Sequence, residues 1–225
     1  MTGYGQFCPI AQAAEVLTQR WTPLVVRELV AGSRRFNEIQ RGVPLMSSSL
    51  LTQRLRTLEQ VGVVEREGSD YVLTQAGWEL KPIIDQMGIW GERWVRREVS
   101  REDSDPAFLM WAIKRTAKPD ELPEERTVVH FRLTQGPQKT RYWWLVLTPG
   151  DADLCLKDPG FGVDLTVRSA PTTLVSVWLG DTGLAAALRR REIELDGPAH
   201  MKRAFPKWFG LSSLAQIERP RTLTN

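Results

Sequence analysis

SSSLLTQRLRTLEQVG, residues 47–62, decides how this chain is read. Leu51, Leu55 and Leu58 recur at intervals of four and three residues, which places them along one side of an amphipathic helix. Ser47 is a favourable N-cap and Gly62 a favourable stop, so the spacing predicts a helix from Ser47 to about Val61. The opposite side carries Ser49, Thr52, Gln53, Arg56 and Gln60. Short hydroxyl and amide side chains near a helix N-terminus are what the DNA major groove admits, because long ones hold the helix away from the base edges. Glutamine can pair bidentately with adenine, and serine or threonine can meet several base edges. Ser47, Ser48, Ser49, Thr52, Gln53 and Arg56 are therefore candidate DNA-contacting residues. On the same pattern, a helical bundle with a polar surface is the competing interpretation.

The flanking sequence supplies the parts such a helix needs. Ile10–Leu17 forms a short apolar-rich helix. Thr22 and Pro23 open a second, with Leu24, Val25, Leu29 and Val30 as its buried stripe and Gly32 as its end. Arg35–Arg41 forms a third, followed by the turn Gly42-Val43-Pro44. Beyond Gly62, Val63–Glu67 and Tyr71–Thr74 form two short strands around Gly68-Ser69-Asp70. Thr74 then caps a last helix reaching about Val99, with Pro82 kinking or separating its first turns. This order is that of a winged helix-turn-helix. Between Gly32 and Arg66 there are six arginines against three glutamates, which accounts for the chain's entire formal charge of +3. Arg34, Arg35, Arg54, Arg56 and Arg66 are placed to grip phosphates. A solvated arginine-rich face is the plainer alternative.

A seam near Ser100–Pro106 separates this half (1–100) from a second (105–225) of different character. Ala107–Arg115 is helical. Val129, Phe131 and Leu133 alternate with polar residues, as do Leu154 and Leu156, and Val163, Leu165 and Val167, whereas Tyr142–Thr148 is apolar on both faces. Helices follow over Thr172–Leu179, Gly183–Arg190 and about His200–Phe209. The fold class is α+β: an N-terminal winged helix-turn-helix plus a C-terminal α+β domain with an antiparallel sheet covered by helices.

Bulk composition narrows the function. The chain has 225 residues, 42% hydrophobic and 25% charged, an ordinary globular balance. The longest apolar run, around Trp143–Leu147, is far too short to span a membrane. The first residues lack a basic start and an apolar core, and two cysteines are too few for a disulfide framework, so the cytoplasm is expected. His130 and His200 are the two histidines. There is no Gly-x-Ser-x-Gly elbow, phosphate-loop glycine motif or His-Glu-x-x-His, and no zinc-ligand spacing. Neither an enzyme nor a cofactor is expected.

From Phe7 to Trp94 the sequence resembles the HxlR family of bacterial winged-helix regulators. The ordered motifs are Cys8-Pro9, Arg20-Trp21-Thr22-Pro23-Leu24, Arg27-Glu28-Leu29, Gly32, Arg35-Phe36-Asn37-Glu38-Ile39, Leu51-Thr52-Gln53-Arg54-Leu55, Leu58-Glu59, Gly62-Val63-Val64, Tyr71-Val72-Leu73-Thr74 and Gly77. The wing departs from the family pattern: it is short and carries Glu65, Glu67 and Asp70 against Arg66. The resemblance implies a transcriptional regulator that binds double-stranded DNA as a homodimer on an inverted repeat, with the helix from Ser47 in the major groove. Leu80, Ile83, Met87, Trp90 and Trp94 follow the spacing of a helix-pair seam and are candidates for the dimer interface, consistent with dimerisation of family members through terminal helices. Packing onto the chain's own core is the alternative. Some family members sense oxidants or electrophiles through a cysteine near the N-terminus. Cys8 matches that position, although a cysteine before proline is also an ordinary small hydrophobe.

The second half, about Asp105–Leu214, resembles sterol-carrier-protein-2-like domains. The resemblance runs through Val163–Val167, Thr173–Gly180, Leu184–Arg190 and Ile193–Gly197. It implies a sheet and helices around an apolar tunnel that takes a hydrophobic small-molecule ligand, with Phe131, Trp144, Leu154, Leu165 and Trp178 as candidate lining residues. An ordinary filled core is the alternative for these side chains. At the level of the whole chain, two further alternatives stand beside a ligand-modulated regulator. One is a lipid or small-molecule carrier with a winged helix that does not bind DNA; the other is a thiol-based redox regulator acting through Cys8.

Overall fold

Local capping chemistry sets the helix boundaries of the first unit. The computed structural model describes residues 3–95, 98–121 and 124–219. Contacts divide the chain into two units, one ending at Gly91 and one starting at Glu92. The first unit contains α1 (Pro9–Leu17), α2 (Thr22–Val30), α3 (Phe36–Gly42), α4 (Ser48–Gln60), strands β1 (Val64–Glu67) and β2 (Asp70–Leu73), α5 (Gln75–Glu79) and α6 (Lys81–Trp90). Ser47 Oγ accepts the Leu50 N–H at 3.3 Å and starts α4. Gly62, at φ +73°, ends it, and the Val63 N–H turns back to Leu58 O at 2.9 Å. Gly32 (φ +92°) ends α2 in the same way, with the Ser33 N–H on Glu28 O. Thr74 Oγ1 accepts the Gly77 N–H at 3.2 Å and opens α5. Pro82 stands in the first turn of α6, where its missing N–H costs nothing, and the first turns expected to be kinked or separated there form their own helix, α5.

The core of this unit joins α2, α3, α4 and the hairpin through Val25, Val26, Leu29, Ile39, Leu51, Leu55, Leu58 and Tyr71. Each fully buried leucine or valine contributes roughly 1.5–3 kcal/mol relative to an exposed one. β1 and β2 form an antiparallel hairpin, with Val64 opposite Leu73 and Glu67 opposite Asp70.

The second unit contains α7 (Pro106–Thr116), β3 (Thr127–Leu133), β4 (Tyr142–Thr148), β5 (Asp151–Cys155), β6 (Leu165–Ser169), α8 (Pro171–Trp178), α9 (Leu184–Arg189), β7 (Ile193–Asp196) and α10 (Ala199–Trp208). Its five strands are ordered β5-β4-β3-β6-β7. The sheet is mixed, not antiparallel as expected, because β3 and β6 run parallel. After the edge strand β5 the chain returns to the far side of β3, and β6 enters there in the same direction. Alternation of side chains is identical for both directions, so it carries no information on this point. Asp164 anchors the return: its N–H donates to Val128 O at 3.0 Å and its Oδ2 accepts the Val128 N–H at 2.8 Å.

Phe131, Leu145, Leu147, Leu165 and Val167 pack on one face of the sheet with Leu109, Ile113, Leu174, Val177, Phe205 and Trp208 from the helices. Leu156 and Val163, expected in strands, lie outside them and are exposed. The unit boundary also differs from the seam at Ser100–Pro106. Glu92 is buried and accepts the Arg219 Nε–H at 3.0 Å, a bond within the second unit.

Candidate nucleic-acid interface

α4 presents two chemically different sides. Leu51, Leu55 and Leu58 are 0–1% exposed, while Ser48, Ser49, Gln53 and Arg56 stand in solvent. Thr52 is half-buried, and its Oγ1 donates to Ser48 O at 2.9 Å. Ser47 is exposed but employed as the cap, with its Oγ 3.2 Å from Ser49 Oγ.

Arg34 and Arg35 stand at the start of α3. Both are exposed, and their backbone N–H groups donate to Glu38 Oε2 at 2.9 and 3.0 Å. Arg34 O accepts the Tyr71 N–H at 2.8 Å, which docks the hairpin against the approach to α3. The Arg35 Nε lies 3.8 Å from Asp70 Oδ1, a loose surface pair worth little. Two arginines offered for phosphate contact have other employment. Arg54 Nε donates to Arg20 O at 3.2 Å. Arg66 donates to Glu59 at 3.2 Å and to the Tyr71 hydroxyl, with its guanidinium 4.3 Å from the centre of the Tyr71 ring. Arg66 thus braces the hairpin, and Glu65 and Glu67 on β1 with Asp70 on β2 leave that hairpin acidic.

Gln40 fixes the turn between α3 and α4, a role the sequence pattern did not signal. Its Nε2 donates to Met46 O at 2.7 Å and Val43 O at 3.2 Å. A single amide in a polar helix has no periodic signature; only the shape of the turn reveals it.

Of the five residues read as a dimer seam, Ile83, Met87 and Trp90 are exposed on α6 at 46%, 50% and 60%, and Trp94 is exposed in the following turn. Leu80 differs: with Ile84 it packs against the core of its own unit. The helix break at Pro82 separates its direction from that of the others. Cys8 is a free, half-buried thiol directly preceding α1.

In the second unit four of the five residues read as a pocket, Phe131, Leu154, Leu165 and Trp178, meet in one apolar core. Phe131 and Leu165 are fully buried, Leu154 is buried, and Trp178 packs at the edge of the core with its Nε1 donating to Thr116 Oγ1 at 3.0 Å. Trp144 is on the other face of the sheet. The register opposes it to His130, on which it stacks at 4.6 Å between ring centres. Between Val129, Phe131, Leu145 and Phe205 there is a cavity of about 10 Å³, room for at most one water. Among the described residues no group of His, Cys, Asp or Glu is arranged to hold a metal ion. No helix among them is long and apolar enough to cross a membrane.

Comparison with known proteins places this geometry in context. Residues 16–99 match a family model described as HxlR-like helix-turn-helix. The HTH-type transcriptional regulator YvaP of Bacillus subtilis is 35% identical over 112 residues, covering 46% of this chain and 95% of the relative. The regulator YodB of the same organism is 33% identical over 94 residues, covering 38% and 84%. Among solved structures, the reduced form of YodB has 31% identity and a TM-score of 0.36, covering 40% of this chain and 97% of its own. The redox regulator HypR in its reduced form has 35% identity and a TM-score of 0.36, covering 38% and 91%.

Proposed function

This chain belongs to the HxlR-like helix-turn-helix family of transcriptional regulators, and on that premise we propose that it binds an inverted-repeat operator as a homodimer, with α4 in the major groove. The observation that carries the proposal is the division of α4. Its leucines are sealed in the core, while Ser48, Ser49 and Gln53 remain open to a base edge. Gln53 and the two serines read bases, with Thr52 beside them. Arg34, Arg35 and Arg56 neutralise phosphates. The acidic hairpin stays off the backbone, so recognition rests on the helix and its flanking arginines.

The homodimer forms over α6. Ile83, Met87 and Trp90 make an exposed apolar face of a kind that marks an interaction surface. The second unit, a sheet with helices packed on one face, serves as a sterol-carrier-like effector domain. A hydrophobic ligand entering between sheet and helices has to displace packed side chains, because the cavity there is small.

Titration of labelled upstream DNA at several salt concentrations tests the central proposal. A regulator shows a site preference over random duplex and an affinity that falls steeply with salt. Equal affinity for all sequences, or none, rejects it and favours a carrier. A second reading is supported by Cys8, a free thiol before α1: oxidation releases DNA. Oxidant response compared between wild type and Cys8→Ser decides it, since equal responses remove the thiol from the mechanism.

A further inference from the structure

Three arginines meet at one end of the open face of the second unit's sheet, a face that by register also carries Glu194, Asp196 and Asp153. Arg132 on β3 is the register partner of both Tyr142 on β4 and Arg168 on β6, so these three side chains share one face of three adjacent strands. Arg141, just before β4, completes the wall of an open hollow of about 580 Å³. None of the three arginines forms an ion pair among the described residues. Glu194, the register partner of Arg168, forms none with it. Asp158, whose charge reaches His130, accepts the Gly160 N–H at 2.9 Å.

Like charges on directly paired strands destabilise a sheet, and arginine cannot shed its proton to relieve them. The guanidinium groups are also held in place. Arg132 Nε donates to His130 Nδ1 at 3.4 Å, and the His130 ring is clamped against Trp144 with the planes 8° apart. Arg141 Nε donates to Gly136 O at 3.1 Å. In both residues the inner nitrogen is occupied, and among the described residues the outer ones have no hydrogen-bond partner. His130 itself is only 7% exposed, and its Nε2 has no hydrogen-bond partner. With Nδ1 accepting from Arg132, the neutral ring carries its proton on Nε2, a buried donor.

We propose that this hollow binds a small polyanion bearing phosphate or carboxylate groups, held by forked hydrogen bonds from Arg132, Arg141 and Arg168. The volume suits a metabolite-sized ligand. The site lies on the opposite face of the sheet from the apolar core and is independent of any hydrophobic ligand there.

Isothermal titration of the full chain at low salt, with inorganic pyrophosphate in one arm and citrate in the other, tests the site. Binding of either probe with a Kd under about 1 mM is expected. Arg132→Ala with Arg168→Ala should weaken it at least about tenfold, Arg168→Lys should weaken it less, and Arg189→Ala should leave it unchanged. Preference for pyrophosphate identifies a phosphate-bearing ligand, and preference for citrate a carboxylate-bearing one. Thermal melts confirm that each variant is folded. Absence of binding by both probes overturns the proposal, as does wild-type affinity in the folded Arg132→Ala, Arg168→Ala double variant. Failure of both probes combined with loss of random-duplex binding in that variant reassigns the cluster to the DNA backbone and equally overturns it.

Discussion

Glu28 and Gly42 occupy adjoining parts of one buried space. The Glu28 side chain is fully buried, and a Cβ built on Gly42 would stand 1.9 Å from its carboxyl carbon. Arg27 closes the arrangement, its Nη2 donating to Glu28 Oε1 at 2.9 Å and to Gly42 O at 2.9 Å. Ser33 Oγ lies 3.4 Å from the other carboxylate oxygen. α2 and α3 are thereby locked at a fixed distance just before the turn that launches α4, so the pose of α4 depends on a residue having no side chain.

Gly42→Ala therefore should force the two helices apart or drive Glu28 off its partners. Overpacking of this kind costs about 1–3 kcal/mol. Urea unfolding should show a lower midpoint with an unchanged slope, and DNA affinity should fall in parallel. A wild-type midpoint would mean that α2 and α3 are not packed this closely.

If α4 enters the major groove as proposed, Gln53 and Arg56 separate base reading from phosphate grip. Gln53→Ala should cost about 1–3 kcal/mol at the preferred operator and leave random-duplex affinity nearly intact. Arg56→Ala should weaken binding to every sequence and lower the salt slope by about one. Anisotropy titrations over a range of salt concentrations distinguish the two. If both variants behaved as wild type on both DNAs, α4 would not be the contacting element.

The contrast between these residues and others shows which information is local. Ser47, Gly62 and Thr74 act through their own turn of chain, so each cap was readable from residue type and position. Leu51, Leu55 and Leu58 declared their buried side by spacing. Trp144 did not, because its face depends on the register with β3, a relation between segments far apart in sequence. The parallel pairing of β3 and β6 was hidden for the same reason. Arg66 resembled a phosphate ligand until Glu59 and Tyr71 were brought beside it, and Leu80 fitted the seam spacing until Pro82 broke the helix. Gln40 carries a turn through two carbonyls that no pattern marks.

Trp90 and Met87 give the dimer proposal its sharpest handle. Both are about half exposed or more on α6, and neither is in the core of the unit. Met87→Glu with Trp90→Glu should leave the fold intact, since neither side chain belongs to the packed core of the unit. Sedimentation should then report a monomer where the wild type is a dimer, and operator affinity should drop because half-sites are no longer coupled. A wild-type dimer population in the double variant would move the interface elsewhere.

His130 makes the second unit sensitive to acid. Its pKa is lowered below the ordinary 6.5 because burial disfavours the imidazolium and Arg132 adds a like charge, only partly offset by Asp158. The unfolded chain therefore takes up a proton at this position before the folded chain does. By linkage, the stabilising contribution is complete above about pH 6.5 and is lost as pH falls through that value towards the lower folded pKa. Protonation would also place a proton on Nδ1, where the ring now accepts from Arg132. His130→Gln keeps a polar side chain that cannot titrate, so its stability should change less than that of the wild type between pH 7.5 and 5.5. Chemical denaturation at a series of pH values measures the difference. Identical pH profiles for the two proteins would show that His130 titrates in the fold as it does in the unfolded chain, and the clamp between Trp144 and Arg132 would then have to be looser than the geometry describes.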